Sequence, residues 1–483
     1  MSEPLRICQV SSELAPYAKT GGLGDVTAAL SAQLHRAGHD VRMFLPLYGG
    51  IDRRRANLQP VEFLQDIPLA TSGYGLRYSI YTGQQDDGLW LYFIDCPMLY
   101  ERGAIYTSDA DEHFRFVVLS RATLEACQRM GWSPQIVHCH DWQTGLVPLY
   151  LKTLYSWDKL FSNTRTIMSI HNLGYQGVVG ADALESTGLS DYRGMLWQDD
   201  LENDRINFLK TGLVYADALT TVSPTYADEI CTPEYGMGLD GILAERRPNL
   251  FGILNGVDYD IWSPERDSLI PHPYSAGNLF GKSQNKTALQ RRFGLQTDPR
   301  KPLVGVVSRL VYQKGLDLAF EVLPGMLASN RMQLAIVGNG EYRYEEFFQW
   351  LEHQFPGRAA FYRGFNNPLA HLVEAGSDIF MMPSLYEPCG LNQMYSLRYG
   401  TIPVVRKTGG LADTVKPHYQ EDGNGVVFEH ADSAGLGWAL DTALKLYHDG
   451  DRWRQMIANA MACDFSWDRQ CDRYVALYRQ LTS

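Results

Sequence analysis

Short runs of apolar and β-branched residues alternate along the chain with longer amphipathic stretches. The first apolar run is LRICQV, and after a glycine-rich turn it is followed by the amphipathic stretch VTAALSAQLHRAG and a second run, DVRMFLPLY. Apolar runs of this length predict strands, and the amphipathic pattern between them predicts a helix. The order strand, helix, strand is typical of a parallel α/β sheet.

The same pattern begins again close to Lys301. There the apolar run KPLVGVVSRL precedes the amphipathic stretch GLDLAFEVLPGMLA and a further apolar run, MQLAIVGNG. The stretch between the two patterns, SPERDSLIPHPYSAGNLFGKSQNK, is rich in proline, glycine and serine, which predicts a linker. We therefore expect an α/β protein with a first Rossmann-like domain at 1–260, a linker at 261–300 and a second Rossmann-like domain at 301–462.

The length and composition fit this two-domain interpretation. A chain of 483 residues is too long for one ordinary hydrophobic core. Hydrophobic residues make up 45% of the chain and charged residues 20%, which is the balance of a soluble globular protein. The formal net charge of -12 argues against nucleic acid or an anionic membrane as the main partner, because both attract surplus lysine and arginine. A phosphate-bearing ligand must therefore meet local cations.

The cysteines and the first residues indicate a cytoplasmic protein. Eight cysteines are scattered along the chain without a C-x-x-C pair, which fits reduced thiols better than a zinc or redox site. The opening MSEPLRICQVSSE lacks the charged start and long apolar run of a signal peptide. No apolar stretch is long enough to span a membrane, so we expect none.

Two similar glycine-rich segments carry a lysine beside the glycines. They are KTGGLGDV, from Lys19 to Val26, and KTGGLADTV, from Lys407 to Val415. Each can be a tight strand-to-helix turn, because glycine adopts positive φ at little cost. The lysine in both halves favours the alternative, which is anion binding at two helix N-termini.

A cationic loop is predicted after the first strand of the second domain. In VVSRLVYQKGLD we expect the strand to end at Ser308, with Arg309 and Lys314 on the loop before the next helix. Ligands bind at this carboxyl edge of a doubly wound sheet. Each cation within about 4 Å of a phosphate contributes about 4 kcal/mol at an effective dielectric near 20, so two could neutralise a diphosphate without a metal. Otherwise they are solvated surface charges.

A carboxylate follows the apolar run DIFMMPS. Glu387 and Cys389 lie on a turn before an amphipathic helix, in PSLYEPCGLNQMYSLRYG. Glu387 either caps that helix or faces positive charge that develops on a reacting sugar. Backbone N–H groups after Gly390 could hold phosphate oxygens, and Cys389 is expected to be a buried small residue.

Histidines and an aspartate follow two further predicted strands. His138, His140 and Asp141 stand at the end of PQIV, and His171 follows RTIMSI. An H-x-H pair suits a metal, but no further ligands occur at the usual spacing, so we predict no metal site. His171 is either a loop histidine or a hydrogen-bond donor to a sugar hydroxyl.

A D-x-D sequence invites a different interpretation. Asp109 and Asp111 match the metal- and nucleotide-binding motif of one large class of sugar-transferring enzymes. They directly precede EHFRFVVLSRATLEA, where acids complement the dipole of a helix N-terminus. We therefore interpret them as a helix start.

Taken together, these motifs resemble one known family. KTGGLGDV, HCHDWQTGLVP, SIHNLGYQG, TVSPTYADEI, GILNGVDYDIWSP, VSRLVYQKGLDL, EPCGLNQMYSLRYG and RKTGGLADTV resemble, in this order, the bacterial glycogen synthase and plant starch synthase family. The resemblance covers nearly the whole chain. It implies a GT-B fold, in which two Rossmann-like doubly wound domains face a central cleft and a C-terminal helix at 463–483 returns to the first domain.

The resemblance also implies roles for residues of the first domain. By motif, Lys19 would approach the donor diphosphate or glucose, with Gly22 in the adjoining glycine-rich loop. His171 would contact the transferred glucose, and Asp141 would help to orient the donor or acceptor sugar.

In the second domain the resemblance implies the remaining site residues. Arg309 and Lys314 would clamp the diphosphate, and Glu387 would stabilise the reacting sugar. The phosphate cradle would be completed by Gly390, Leu391 and Asn392. Two positions depart from the common family pattern, Asn392 where threonine is frequent and Phe365 where tyrosine is frequent, and both bear on nucleotide preference.

The activity that the resemblance implies is retaining transfer of glucose from ADP-glucose to the non-reducing end of an α-1,4-glucan, with release of ADP. Neither a cofactor nor a metal is expected. The alternatives are UDP-glucose as the donor, another enzyme of the same fold such as a nucleotide-sugar epimerase or a glucan phosphorylase, and a non-catalytic glucan-binding protein. The sequence leaves open whether retention proceeds by front-face attack or through a covalent intermediate.

Overall fold

The computed structural model describes residues 3–70, 75–85 and 87–483. These residues form two compact units, each built on its own sheet. The first unit comprises Met1–Val222, Ala227–Gly256 and Trp467–Ser483, and the second comprises Ser223–Tyr226 and Val257–Ser466.

The first unit contains a ten-stranded sheet and a separate two-stranded sheet. Its strands are β1 (Arg6–Val10), β2 (Asp40–Pro46), β3 (Gln59–Pro60), β4 (Ile67–Pro68), β5 (Arg77–Gln84), β6 (Trp90–Asp95), β7 (Ile136–His140), β8 (Arg165–Ile170), β9 (Val178–Gly180), β10 (Arg205–Asn207), β11 (Ala218–Thr221) and β12 (Leu250–Gly252). The large sheet has the order β12-β11-β8-β7-β1-β2-β6-β5-β3, with β4 paired to β5. The strands from β12 to β6 are parallel, and β5 joins antiparallel. The two-stranded sheet pairs β9 with β10 in antiparallel orientation.

Helices cover this sheet. They are α1 (Gly22–Arg36), α2 (Pro97–Tyr100), α3 (Glu112–Arg129), α4 (Val147–Lys152), α5 (Leu184–Thr187), α6 (Gln198–Glu202), α7 (Phe208–Tyr215), α8 (Pro224–Glu229), which crosses a unit boundary, α9 (Asp240–Glu245) and, at the end of the chain, α18 (Trp467–Thr482). The central strands are buried on both faces, as Ile7, Cys8 and Val10 of β1 show. Helix α1 buries Val26, Leu30 and Leu34 in register with a 3.6-residue period.

The second unit contains a six-stranded parallel sheet. Its strands are β13 (Leu303–Leu310), β14 (Gln333–Gly340), β15 (Ala359–Arg363), β16 (Ile379–Met382), β17 (Ile402–Arg406) and β18 (Val426–Phe428), in the order β15-β14-β13-β16-β17-β18. Its helices are α10 (Phe280–Arg292), α11 (Leu323–Ala328), α12 (Tyr342–Gln354), α13 (Asn367–Gly376), α14 (Asn392–Arg398), α15 (Gly409–Thr414), α16 (Ser433–His448) and α17 (Gly450–Met461). The strand order is that of a doubly wound Rossmann sheet, with its reversal between β13 and β16.

The segment that the sequence indicates as a linker, 261–300, lies in the second unit and contains α10. Asn285 of α10 accepts from the His272 amide at 3.0 Å and donates to the His272 carbonyl at 2.7 Å. Lys286 forms an ion pair of 2.7 Å with Asp378 beside β16. The first two contacts hold the segment together, and the ion pair attaches it to the second sheet.

The first strand of the second unit is longer than the sequence predicts. Strand β13 continues to Leu310, so Arg309 lies in the strand, opposite Asn339 of β14, and not on the following loop. Glycines of β14 allow the extension, because a Cβ at Gly338 or Gly340 would lie 2.2 Å from a carbonyl oxygen of β13. Among the described residues, no helix is long and apolar enough to cross a membrane.

Candidate active site

The strand order of each sheet indicates where a ligand would bind. In the first sheet the order reverses between β1 and β7, and in the second it reverses between β13 and β16. Ligands of doubly wound sheets bind at the carboxyl ends of the strands beside such a reversal. The glycine-rich loop and Asp141 follow the first pair of strands, and Lys314 and Glu387 follow the second.

A buried carboxylate shapes the glycine-rich loop after β1. Glu13 is 3% exposed and accepts hydrogen bonds from the Thr20 amide at 2.8 Å, the Thr20 hydroxyl at 2.7 Å and the Gly21 amide at 3.3 Å. The Tyr106 hydroxyl donates to it at 2.7 Å. Glu13 is not among the site residues predicted from the sequence, although an acid just after the first strand, in SSELAPYAKTGGLG, is a visible signal.

The loop presents Lys19 beside the start of α1. Helix α1 begins at Gly22, and the Lys19 ammonium lies 2.7 Å from a carboxylate oxygen of Asp25 in its first turn. The two side chains are 46% and 40% exposed, so the pair contributes little to stability. Lys19 is therefore available to an anion at the helix N-terminus.

Asp141 connects the ends of β7 and β8 in a strained conformation. Its backbone has φ 56° and ψ -177°, a region that residues other than glycine seldom adopt. A carboxylate oxygen accepts from the His171 amide at 2.8 Å. Burial raises the pKa of Asp141 to about 7, against the lowering effect of the His171 and Asn172 amides. The carboxyl group therefore changes charge near neutral pH.

His171 is a neutral, partly exposed side chain after β8. Its Nε2 lies 2.9 Å from Nδ1 of His140, and burial lowers its pKa to about 4. The structure thus brings Asp141, which follows β7, together with His171, which follows β8, through a hydrogen bond between a backbone amide and a carboxylate. His138 and His140 use both ring nitrogens in hydrogen bonds with protein groups. Among the described residues no cluster of three or more potential metal ligands occurs.

In the second unit a lysine and a glutamate form a buried ion pair. The Lys314 ammonium lies 2.5 Å from Oε2 of Glu387, which also accepts from the Ser384 hydroxyl at 3.0 Å. Their side chains are 17% and 7% exposed. The lysine loop comes close because Gly315 has φ +63° and a Cβ there would lie 2.1 Å from the Pro383 carbonyl oxygen.

The second glycine-rich segment supports the Glu387 turn. A Cβ at Gly409 would lie 2.0 Å from the Glu387 carbonyl oxygen, and one at Gly410 would lie 2.1 Å from that of Cys389. The Gly410 amide donates to the Glu387 carbonyl at 3.1 Å. Ser223 donates to the Pro388 carbonyl at 2.7 Å from the other side. Close backbone packing thus explains why Gly409 and Gly410 are glycines. The lysine beside them had favoured an anion site at this segment.

The turn after Glu387 leads directly into α14. Gly390 has φ +71°, Leu391 precedes the helix, and Asn392 begins it. The Asn392 side-chain amide donates to the Val307 carbonyl at 2.6 Å and so ties the turn to β13. Arg309 is exposed on that strand and has no ion pair among the described residues. The structure therefore gathers Lys314, Glu387 and the 390–392 turn, while Arg309 lies on the adjoining strand.

Comparison with known proteins decides what these two units are. The model of the starch synthase catalytic domain matches residues 6–245, and that of the glycosyl transferases group 1 matches residues 289–461. A glycogen synthase of Syntrophotalea carbinolica is 43% identical over 99% of this chain and 99% of its own length. The chain belongs to the glycogen and starch synthase family. The family predicted from the motifs is thereby confirmed.

Solved structures agree with this membership. The catalytic domain of starch synthase IV from Arabidopsis thaliana aligns with a TM-score of 0.90 and 36% identity, covering 99% of this chain and 100% of that chain. A sucrose-phosphate synthase from Thermosynechococcus elongatus has a TM-score of 0.62, 17% identity and 98% coverage of both chains, and shares the fold. The predicted fold class, α/β of the GT-B type with two Rossmann-like domains, is confirmed. The protein is a glycosyltransferase of glycogen or starch synthesis.

Proposed function

We propose that the protein transfers glucose from ADP-glucose to the non-reducing end of an α-1,4-glucan, with retention of configuration and release of ADP. The observation that carries the choice of donor is the starch synthase IV catalytic domain, which is 36% identical over 99% of this chain and was solved bound to ADP and acarbose. In the transfer the bond between the glucose C1 and the diphosphate breaks, a bond from C1 to the acceptor oxygen forms, and the hydroxyl proton is released.

In this proposal the second unit holds the leaving group and the reacting sugar. Lys314 and Arg309 are the cations that meet the diphosphate, so the reaction needs no metal ion. Glu387 is the buried carboxylate that stabilises positive charge as the C1 bond breaks. Its contact with Lys314 at 2.5 Å supports the assignment, because donor phosphate would then compete with the carboxylate for the same ammonium. The N–H groups around Gly390, Leu391 and Asn392 complete the cradle.

The first unit contributes sugar contacts. Lys19 and the Gly22 loop approach the donor, Asp141 accepts from a sugar hydroxyl, and His171 contacts the transferred glucose. Asp141 follows β7 and His171 follows the neighbouring strand β8, and the His171 amide donates a hydrogen bond to the Asp141 carboxylate. Their adjacency supports a shared role in holding one sugar ring.

A groove in the first unit is suited to the glucan acceptor. It encloses about 1180 Å³ and is lined by residues of the 108–114 and 174–186 segments together with Trp142. Carboxylates such as Asp182 and Glu185 accept from sugar hydroxyls, and Tyr175, 58% exposed, offers an aromatic face. The volume exceeds that of a usual small-molecule pocket and accommodates several sugar rings.

We also propose that the protein acts in the cytoplasm, because the buried cysteines Cys8, Cys127 and Cys139 form no disulfide in the described part of the chain. UDP-glucose remains the competing donor.

The test measures nucleoside diphosphate release from ADP-glucose and UDP-glucose side by side, with and without glycogen primer and with a chelator. We expect ADP release that needs primer and survives the chelator, with chain extension of maltooligosaccharides seen by mass spectrometry. Preference for UDP-glucose would overturn the donor, loss of activity in chelator would overturn metal independence, and no release with either donor would overturn the proposed function.

A further inference from the structure

A continuous hydrogen-bond network of polar side chains runs through the core of the first unit and ends at His171. Each member contacts the next by a hydrogen bond, and the members come from β1, β7, β8, β11 and α18. In order, the network consists of Thr220, Ser169, His138, Tyr478, Gln9, His140 and His171. All except His171 are buried, so His171 is the end that a ligand can reach.

The hydrogen bonds near His171 have a defined direction from donor to acceptor. Nε2 of His140 lies 2.7 Å from Oε1 of Gln9, and an amide oxygen can only accept. His140 therefore donates from Nε2, and as a neutral imidazole it keeps an unprotonated Nδ1. His171 must then donate from its Nε2 to that Nδ1, across 2.9 Å. The remaining nitrogen of His171, Nδ1, consequently carries a lone pair.

The remaining hydrogen bonds of the network are consistent with this direction. The Gln9 amide nitrogen donates to the Tyr478 hydroxyl at 3.4 Å. Tyr478 can then donate to Nδ1 of His138 at 2.8 Å, and His138 donates from Nε2 to the Ser169 hydroxyl at 2.6 Å. Each member between the two ends donates one hydrogen bond to a neighbour and accepts one from the other neighbour. Reversing the tautomer of a single histidine would therefore require its neighbours to reverse with it.

These hydrogen-bond directions require histidines that carry one ring proton each. Burial lowers the pKa of His138 to about 3 and that of His171 to about 4, and the pKa of His140 lies well below its ordinary value. The ionisable neighbours are Asp141, whose carboxylate accepts from the His171 amide, and Tyr474, whose ring lies 5.7 Å from that of His138. All three rings are thus neutral at pH 7.

We propose that Gln9 and Tyr478 are positioning residues that fix His171 as the Nε2–H tautomer, so that its Nδ1 accepts a hydrogen bond from a hydroxyl of the transferred sugar. The proposal rests on the proposed sugar contact of His171 and reverses the donor role that the sequence analysis offered for it. It also gives the C-terminal helix α18 a part in catalysis, since Tyr478 orients the Gln9 amide.

The direct test is nitrogen NMR of the full-length protein labelled with 15N-histidine. Long-range nitrogen–proton correlations distinguish Nε2–H from Nδ1–H, and signals of His140 and His171 are assigned by their loss in His140→Gln and His171→Gln. We expect Nε2–H for all three histidines at pH 7. An Nδ1–H form of His171, a cation or an unlinked mixture would overturn the proposal. This readout needs no substrate, so it fails independently of the proposed function.

Kinetics of two variants supply the second test. Gln9→Met removes the acceptor of His140, and Tyr478→Phe removes the hydroxyl that orients Gln9. In both we expect a mixed tautomer of His171 and a fall of about tenfold in kcat, with KM for ADP-glucose within about twofold, since one oriented hydrogen bond is lost. Tyr150→Phe is the matched control, because this buried hydroxyl also loses one bond, to Thr187 at 2.9 Å.

The outcomes separate positioning from simple loss of stability. If Tyr150→Phe lowers kcat as much as Tyr478→Phe at equal thermal stability, or if Gln9→Met leaves the His171 tautomer unchanged, the proposal is wrong. Wild-type protein with the expected tautomers but no glucosyl transfer would contradict the proposed function and leave the tautomer assignment standing.

Discussion

Glu387→Gln removes the negative charge of the buried ion pair with Lys314 and keeps the size of the side chain. In the wild-type structure the carboxylate lies 2.5 Å from the Lys314 ammonium, and both side chains are largely shielded from water. The substitution removes the negative charge that we assign to transition-state stabilisation. It also leaves the Lys314 cation uncompensated, which favours an anion beside it.

These two consequences change two measured quantities in opposite directions, since kcat should fall and the affinity for ADP should rise. A preorganised charge near a developing cation contributes about 4 kcal/mol, so we expect kcat to fall about thousandfold. A cation about 4 Å from a phosphate contributes about 4 kcal/mol at an effective dielectric of about 20. Because Lys314 is 17% exposed and glutamine still solvates it, we expect about 1.4 kcal/mol of this, or about tenfold tighter binding of ADP.

The assay pairs initial rates of ADP release with calorimetric titration of ADP. Glu429→Gln is the matched control, because Glu429 forms a 2.8 Å pair with Lys407 on the surface of the same unit, 67% exposed. The control should leave kcat and the Kd of ADP unchanged. A Glu387→Gln variant whose kcat stays within threefold of wild type, or which is folded and binds ADP more weakly, would refute the reasoning.

Further predictions concern a titrating carboxyl, a crowded glycine and the proposed acceptor groove. Burial raises the pKa of Asp141 from 3.8 to about 7, so its ionisation lowers the free energy of unfolding as pH rises between these values. Between pH 5 and pH 8 the loss is about 2.7 kcal/mol, because about two pH units below the folded-state pKa each cost about 1.36 kcal/mol, and Asp141→Asn should remove it in urea unfolding at these two pH values. An unchanged pH dependence would contradict it. Gly315→Ala should lower thermal stability and kcat together, because its Cβ would meet the Pro383 carbonyl at 2.1 Å, whereas Gly325→Ala in open space should be neutral or stabilising. Tyr175→Ala should raise KM for glucan primer about fivefold, as loss of about 1 kcal/mol of ring contact implies, with kcat unchanged; an equal rise in Trp157→Ala, an exposed aromatic outside the groove, would argue against a specific surface.

Local sequence was sufficient for the elements and for the family. Apolar runs predicted the buried strands β1, β2, β13 and β14, because a strand covered on both faces must be apolar throughout. Acids at Asp109 and Asp111 predicted the start of α3, which begins at Glu112. The ordered motifs identified the glycogen and starch synthase family, which the comparisons confirm.

Strand limits were less predictable where a neighbour decides them. Arg309 was expected on a loop, but glycines at the end of β14 allow β13 to pair as far as Leu310. Whether a strand continues depends on how closely the adjacent backbone can approach, and the adjacent strand is not adjacent in sequence. The roles proposed for Lys19, Asp141 and the other site residues stay predictions that the variants above test.

The sequence by itself determined which residue types stand at the ends of which strands, because periodicity and turn chemistry are local properties. Only the tertiary structure decided their partners. Lys314 meets Glu387 across 73 residues, and His138 meets Tyr478 across 340. The tertiary structure also shows what Glu13 does, because its carboxylate accepts hydrogen bonds from the Thr20 and Gly21 amides and so fixes the glycine-rich loop. Distances of hydrogen-bond length between residues far apart in the chain depend on how the sheets and helices pack, and no local pattern records that packing.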